Sequence, residues 1–133
     1  MSQLPVPPSS DRTSLGVAPN VGALLAYLPP AACCAGLLVS VAVVAMEKNS
    51  KFLRFHAFQS LLLYGVMFAV SLALVLLGFI LGMIADVFAF LMQMLMWISA
   101  LAFSGLMILL MIKAYQGEEI ELPFIGEIAR KQV

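Results

Sequence analysis

The 133-residue chain is 63% hydrophobic and only 11% charged, against about 25% charged residues in a soluble domain. Residues 57–112 contain no Lys or Arg and a single acid, Asp86; a water-soluble core of this size could not hide so much apolar surface, so the bilayer must be the solvent. The formal net charge of zero leaves no electrostatic footprint for nucleic acid, which is excluded as a partner.

The N-terminal stretch MSQLPVPPSSDRTSLGVAPN has no basic region leading into an apolar one, so it does not read as a cleavable signal peptide. Pro5, Pro7, Pro8 and Pro19 discourage a helix, and residues 1–19 read as a disordered or extended polar tail. Residues 20–115 read as a transmembrane domain of three helices, with spans at about 21–46, 57–81 and 88–112.

The first apolar run, Val21 to Met46, is interrupted by Pro29 and Pro30, which remove two backbone donors and disfavour helical geometry just before each ring. It is either one kinked span from an Asn20 N-cap, or a short interfacial helix over 20–28 followed by a span from near Pro30. The second would be about 17 residues, roughly 25 Å, a little short of a hydrocarbon core of roughly 30 Å. The broken version is favoured, with its first piece oblique; a re-entrant path would return the N-terminus to the opposite side. Cys33 and Cys34 are neighbours within this run and would point about 100° apart on a helix, so they read as small contact residues rather than a disulfide.

Charge and aromatics concentrate in Glu47 to Ser60, EKNSKFLRFHAFQS, between two apolar runs. Asn49 and Ser50 are natural N-cap residues, which predicts a helix from near Lys51 into the second span. On it Phe52, His56, Gln59 and Leu63 share one face, and Lys51, Arg54 and Phe58 another. The basic face suits lipid phosphates, and the His56, Gln59 and Ser60 face turns polar groups into the protein. His56, the one histidine, is expected to hydrogen-bond a carbonyl or the C-terminal segment. It could instead be an axial ligand to a bound pigment or haem, although nothing in the sequence demands one; with no second His, Cys or paired carboxylate nearby it makes no metal site.

Asp86 marks the division of the next run, because a carboxylate at bilayer centre costs on the order of 3 kcal/mol. A turn over 82–87 follows. Gly78 and Gly82 form a small-xxx-small pair that would admit another helix closely. The methionines and Trp97 of the third span read as adaptable packing, not a metal site. Residues 116–133 read as an amphipathic tail, turning at Gly117, with acids Glu118, Glu119 and Glu121 placed to meet Lys48, Lys51 or Arg54. With three spans, the 47–60 segment and the tail share a side and hold six of the seven Lys and Arg residues. The positive-inside rule makes that side cytoplasmic and the N-terminus external.

GALLAYLPP at 22–30, EKNSKFLRFHAFQSLLL at 47–63 and KAYQGEEIELPFIGE at 113–127 together resemble a family of small, mostly uncharacterised prokaryotic membrane proteins related to the translocon subunit of the chloroplast inner envelope. Lys51, Arg54, Phe55, His56 and Gln59 lie in the 47–63 block; Gly117, Pro123 and Gly126 lie in the 113–127 block. The resemblance spans about residues 20–129 and implies no catalytic residues; the chloroplast relatives have four membrane helices.

The expectation is an all-α integral membrane protein of the bacterial cytoplasmic membrane, with a Pro-broken first helix and a short interfacial C-terminal segment. No enzyme chemistry is visible: there is no nucleophile with a base, metal cluster or phosphate loop. The chain reads as an accessory or scaffolding subunit contacting lipids, other membrane subunits or its own copies, without a cofactor. The alternative, implied by the resemblance, is a component of a translocation or transport pore.

Overall fold

The computed structural model describes residues 13–29 and 34–133. Five helices follow in order: α1 (Pro19–Ala26), α2 (Ala35–Met46), α3 (Lys51–Gly82), α4 (Asp86–Tyr115) and α5 (Ile125–Lys131), with no strand among the described residues.

Local chemistry sets most boundaries. Pro19 opens α1 at a position where its missing N–H goes unused. Ser50 caps α3, its hydroxyl accepting from the Leu53 N–H at 3.2 Å, as expected for a helix starting at Lys51. Three residues, Met83 to Ala85, separate α3 from α4, and Asp86 lies in the first turn of α4, where a carboxylate complements the helix dipole. At the other end of α4, Gly117 takes φ 80°. Its N–H donates to the Ala114 carbonyl at 3.1 Å and the Glu118 N–H to the Lys113 carbonyl at 3.0 Å, a Schellman closure that requires the left-handed conformation Gly adopts without strain.

Two helices, α3 and α4, are long and apolar enough to cross a membrane. None of the most apolar 18-residue stretch of α3 is buried by the rest of the chain, so these are not core helices of a water-soluble protein. Phe68, Phe79, Trp97 and Leu101 are among their exposed side chains, and lipid is the natural neighbour.

The expected span over 21–46 is broken, as Pro29 and Pro30 led one to expect, and neither piece alone is long enough to cross a membrane. Its described parts are α1, 8 residues, and α2, 12 residues, about 12 and 18 Å long, both short of a core of roughly 30 Å. Pro30 and Cys33 lie outside the described residues. The pair folds as a hairpin whose two ends meet near the start of α3. Asn20 Nδ2 donates to the Tyr115 carbonyl at 3.1 Å, while the far end of α1 meets Tyr64, whose hydroxyl donates to the Leu28 carbonyl. Helix α2 then descends antiparallel to α3, with Gly36 beside Tyr64 and Ser40 beside Ser60.

This path brings the segment just before α1 to the 47–60 elbow. Ser14 donates to Glu47 through both its N–H, at 3.1 Å, and its hydroxyl, at 3.2 Å. Thr13 to Val17, expected as exposed tail, is therefore held against the elbow; residues 1–12 lie outside the described part.

The core sits entirely at this end. Buried residues of α3 run from Phe52 to Tyr64 and those of α4 from Met107 to Ala114. Beyond them the two helices continue as a bare hairpin. Gly78 and Gly82 serve that hairpin: a Cβ at Gly78 would sit 3.2 Å from Met92 Cβ, and one at Gly82 would sit 2.9 Å from Ala89 Cβ. The close approach is thus to α4 of the same chain.

Candidate functional site

The polar residues of the elbow converge where α1, α2, the start of α3 and the C-terminal segment meet. Glu47, only 1% exposed, ends α2 and holds the turn. Its Oε1 accepts from the Asn49 N–H at 2.9 Å and the Ser50 N–H at 3.0 Å, in addition to Ser14. Burial pushes this carboxyl up, but the N–H groups of Ser14, Ser50 and Asn49 and the Ser14 hydroxyl outweigh it and hold it below the ordinary carboxylate value.

Deeper in the core, Ser40 joins three helices. Its Oγ lies 2.6 Å from Ser60 Oγ, 3.1 Å from the Ala26 carbonyl and 2.7 Å from the Gly36 carbonyl. Ser60 also reaches the Ala57 carbonyl at 3.0 Å. With two protons between them, the hydroxyls can satisfy each other and one carbonyl at a time.

His56 is 1% exposed and packed on its edges and faces by Phe52, Phe55 and Tyr27, with ring centroids 4.5, 5.3 and 5.7 Å away. Its Nδ1 lies 3.2 Å from the Tyr27 hydroxyl; the ring also meets the Glu118 backbone of the C-terminal segment, though Nε2 makes no well-aligned hydrogen bond. For His56 to act as an axial ligand, a macrocycle would have to displace one of these rings. Gln59 Nε2 donates to the Ile120 carbonyl at 2.9 Å, so the predicted polar face of α3 does turn toward the C-terminal segment. Among the described residues no three His, Cys, Asp or Glu side chains are grouped to hold a metal ion.

The C-terminal segment docks on Phe55. Arg130 stacks over that ring at 4.9 Å and pairs with Glu119, at 3.0 Å, and with Glu121. Lys113 pairs with Glu118 and Lys131 with Glu127, each at 2.9 Å. The tail acids therefore meet these three cations, not Lys48, Lys51 or Arg54 as expected, because the turn at Gly117 sets Glu118 beside Lys113 and the fold-back of α5 brings Arg130 and Lys131 nearer. Pro123 and Gly126 shape that fold-back: the Gly126 N–H donates to the Leu122 carbonyl at 2.8 Å, and a Cβ on Gly126 would lie 2.8 Å from Glu121 Cα.

Arg54 lies on the outer side of α3, and Lys51 borders a cleft lined by Phe55, Glu119, Arg130 and Val133. Lys51 is exposed and Arg54 half-buried, and neither has an acid partner among the described residues. The structure thus gathers Phe55, His56, Gln59, Gly117, Pro123 and Gly126 into one joint, leaves Lys51 and Arg54 on its outer face, and places Gly78 and Gly82 far away in the hairpin. Sequence reasoning missed Glu47, Tyr27, Ser40 and Tyr64. Glu47 carried a signal: an acid two and three residues before Asn49 and Ser50 can accept both N–H groups of a tight turn.

Known proteins agree with the membrane assignment. The chain is 34% identical over 122 residues to a UPF0132 membrane protein of Methanocaldococcus jannaschii, covering 90% of this chain and 93% of the relative. It is 28% identical over 114 residues to a UPF0132 membrane protein of Archaeoglobus fulgidus, covering 86% and 94%. No solved structure matches. These comparisons support the resemblance to uncharacterised prokaryotic membrane proteins and carry no link to the chloroplast import subunit. A family model matches residues 12–129, and the chain belongs to the magnetosome magnetite crystal formation protein family.

Proposed function

We propose that this chain is a non-enzymatic membrane scaffold, an accessory subunit that assembles with other membrane proteins or with its own copies. One observation carries the reading. The buried polar side chains of the elbow link the chain's own elements, whereas the α3–α4 hairpin beyond Tyr64 and before Met107 buries no side chain and is exposed along both helices. A rigid polar head on a bare apolar hairpin suits a part that joins an assembly in the bilayer. The family's description, magnetosome magnetite crystal formation, is compatible with an organising role in a membrane where mineral forms.

In this reading the elbow end is cytoplasmic. Lys48, Lys51, Arg54, Lys113, Arg130 and Lys131 all belong to it, and the positive-inside rule sets such an end inward. Both termini then share that side, and α1 and α2 form a re-entrant hairpin.

Cross-linking in native membranes tests the assembly, with cysteines placed at Phe68 and Leu101 and the bridged species sized and identified. Discrete adducts to one recurring partner or to a second copy are expected. Native protein that stays at its own mass, with no bridged species from either position, would overturn the scaffold reading.

A further inference from the structure

A stripe along the outer face of α3 begins with two cations and continues as an exposed apolar face. Lys51, Arg54, Phe58, Leu62, Gly65 and Ala69 fall on one side of the helix by three- and four-residue spacing, opposite the side buried in the core. Four observations point to one kind of ligand. Lys51 borders a cleft with Glu119, Arg130 and Val133, but neither it nor Arg54 forms an ion pair among the described residues, while the acids of the C-terminal tail are already paired. Arg54 Nε is buried without any hydrogen-bond partner, so its fork has unused donor capacity. Its guanidinium carbon lies 6.0 Å from the centre of the Phe58 ring, which holds the group above the apolar face. Below them a Cβ at Gly65 would meet nothing within 4 Å, and Ala69 is exposed.

We propose that this stripe binds one anionic phospholipid. The Lys51 ammonium and the Arg54 guanidinium take the headgroup phosphate through charge-assisted hydrogen bonds, Phe58 lies beside the glycerol region, and an acyl chain follows Leu62 into the space left by Gly65 and Ala69. The two parts of the site have different chemistry, so they can be broken separately. The inference is independent of the scaffold reading: a monomer with no protein partner would bind the lipid equally well.

The test uses the full-length purified chain, with native mass spectrometry for retained lipid and thermal unfolding for stabilisation. The probes are phosphatidylglycerol, phosphatidylcholine and inorganic phosphate. Phosphatidylglycerol should be retained and raise Tm, phosphatidylcholine should be retained at least tenfold less, and inorganic phosphate should leave Tm unchanged. The double variant K51Q/R54Q should lose at least tenfold in phosphatidylglycerol retention, whereas K113Q, which touches another ion pair, should not. Gly65→Leu keeps every charge and should still weaken retention by filling the space left at Gly65. Equal retention of the two lipids, undiminished retention by K51Q/R54Q, or stabilisation by inorganic phosphate matching that by phosphatidylglycerol would each overturn the proposal. For K51Q/R54Q, unchanged Tm without lipid separates loss of binding from loss of fold; if that variant does not fold, Gly65→Leu retaining lipid as well as the parent decides against the site.

Discussion

Replacing Glu47 is the most direct test of how the elbow is held. In Glu47→Ala the N–H groups of Ser14, Asn49 and Ser50 all lose their acceptor. Ser14 and Asn49 are exposed, so water can replace the carboxylate there at little cost. Ser50 is fully buried, and an unsatisfied buried N–H costs about 1–3 kcal/mol. With the loss of charge assistance at the other two, the total is about 2–3 kcal/mol, several degrees in Tm. Glu47→Gln keeps an acceptor and should lose about 1 kcal/mol. The pH dependence has a definite sign. The folded carboxyl lies below its ordinary value, about 4.3 when unfolded. Its stabilisation is therefore complete above that value and lost as pH falls through the lower, folded-state pKa. Thermal unfolding in detergent at pH 7 and near pH 3, with hydrogen exchange at Ser50 and Leu53, reads both effects. The parent should lose more stability on acidification than Glu47→Gln does. Unchanged Tm and unchanged Ser50 protection in Glu47→Ala would refute the view that this carboxylate ties the elbow.

Other substitutions probe the packing by the same unfolding assay. Gly36→Ala places a Cβ 2.6 Å from the Leu28 carbonyl oxygen and against the Tyr64 hydroxyl, and should lose about 1–3 kcal/mol; Gly105→Ala, which meets nothing within 4 Å, should be tolerated. A double-mutant cycle on Ser40→Ala and Ser60→Ala should give a coupling of about 0.5–1.5 kcal/mol, and additive losses would mean that the 2.6 Å contact is not an energetic link. His56→Ala empties a site lined by three aromatic rings and should lose about 3 kcal/mol. His56→Phe, which refills most of that volume, should recover much of it, and a neutral His56→Ala would argue against a packing role.

What could be read along the chain was what neighbours within a few residues decide. The Ser50 cap set the start of α3 because its hydroxyl serves an N–H three residues away. Asp86 marked the break before α4 because a lone carboxylate is unfavourable deep in lipid wherever the rest of the chain goes. The alternation of polar and basic residues after Lys51 showed which face of α3 turns inward, since helical spacing alone fixes that. Counting spans went less well. Pro29 and Pro30 did show that 21–46 breaks into two short pieces, seen as α1 and α2, but hydropathy alone could not say how those pieces pack against α3.

The sequence by itself determined the solvent of this protein: a long charge-free run has no stable place but a bilayer, whatever it folds against. It also determined that charge gathers at an elbow before α3. Only the tertiary structure decided that the N-terminal segment returns to that elbow through Ser14 and Glu47, that Gly78 and Gly82 admit α4, and that the tail acids take Lys113, Arg130 and Lys131, leaving Lys51 and Arg54 without them. The physical reason is that a cap or a hydropathic run acts through adjacent residues. The partner of a buried carboxylate, a glycine or a surface cation is set instead by which distant segments the fold brings within a few ångströms.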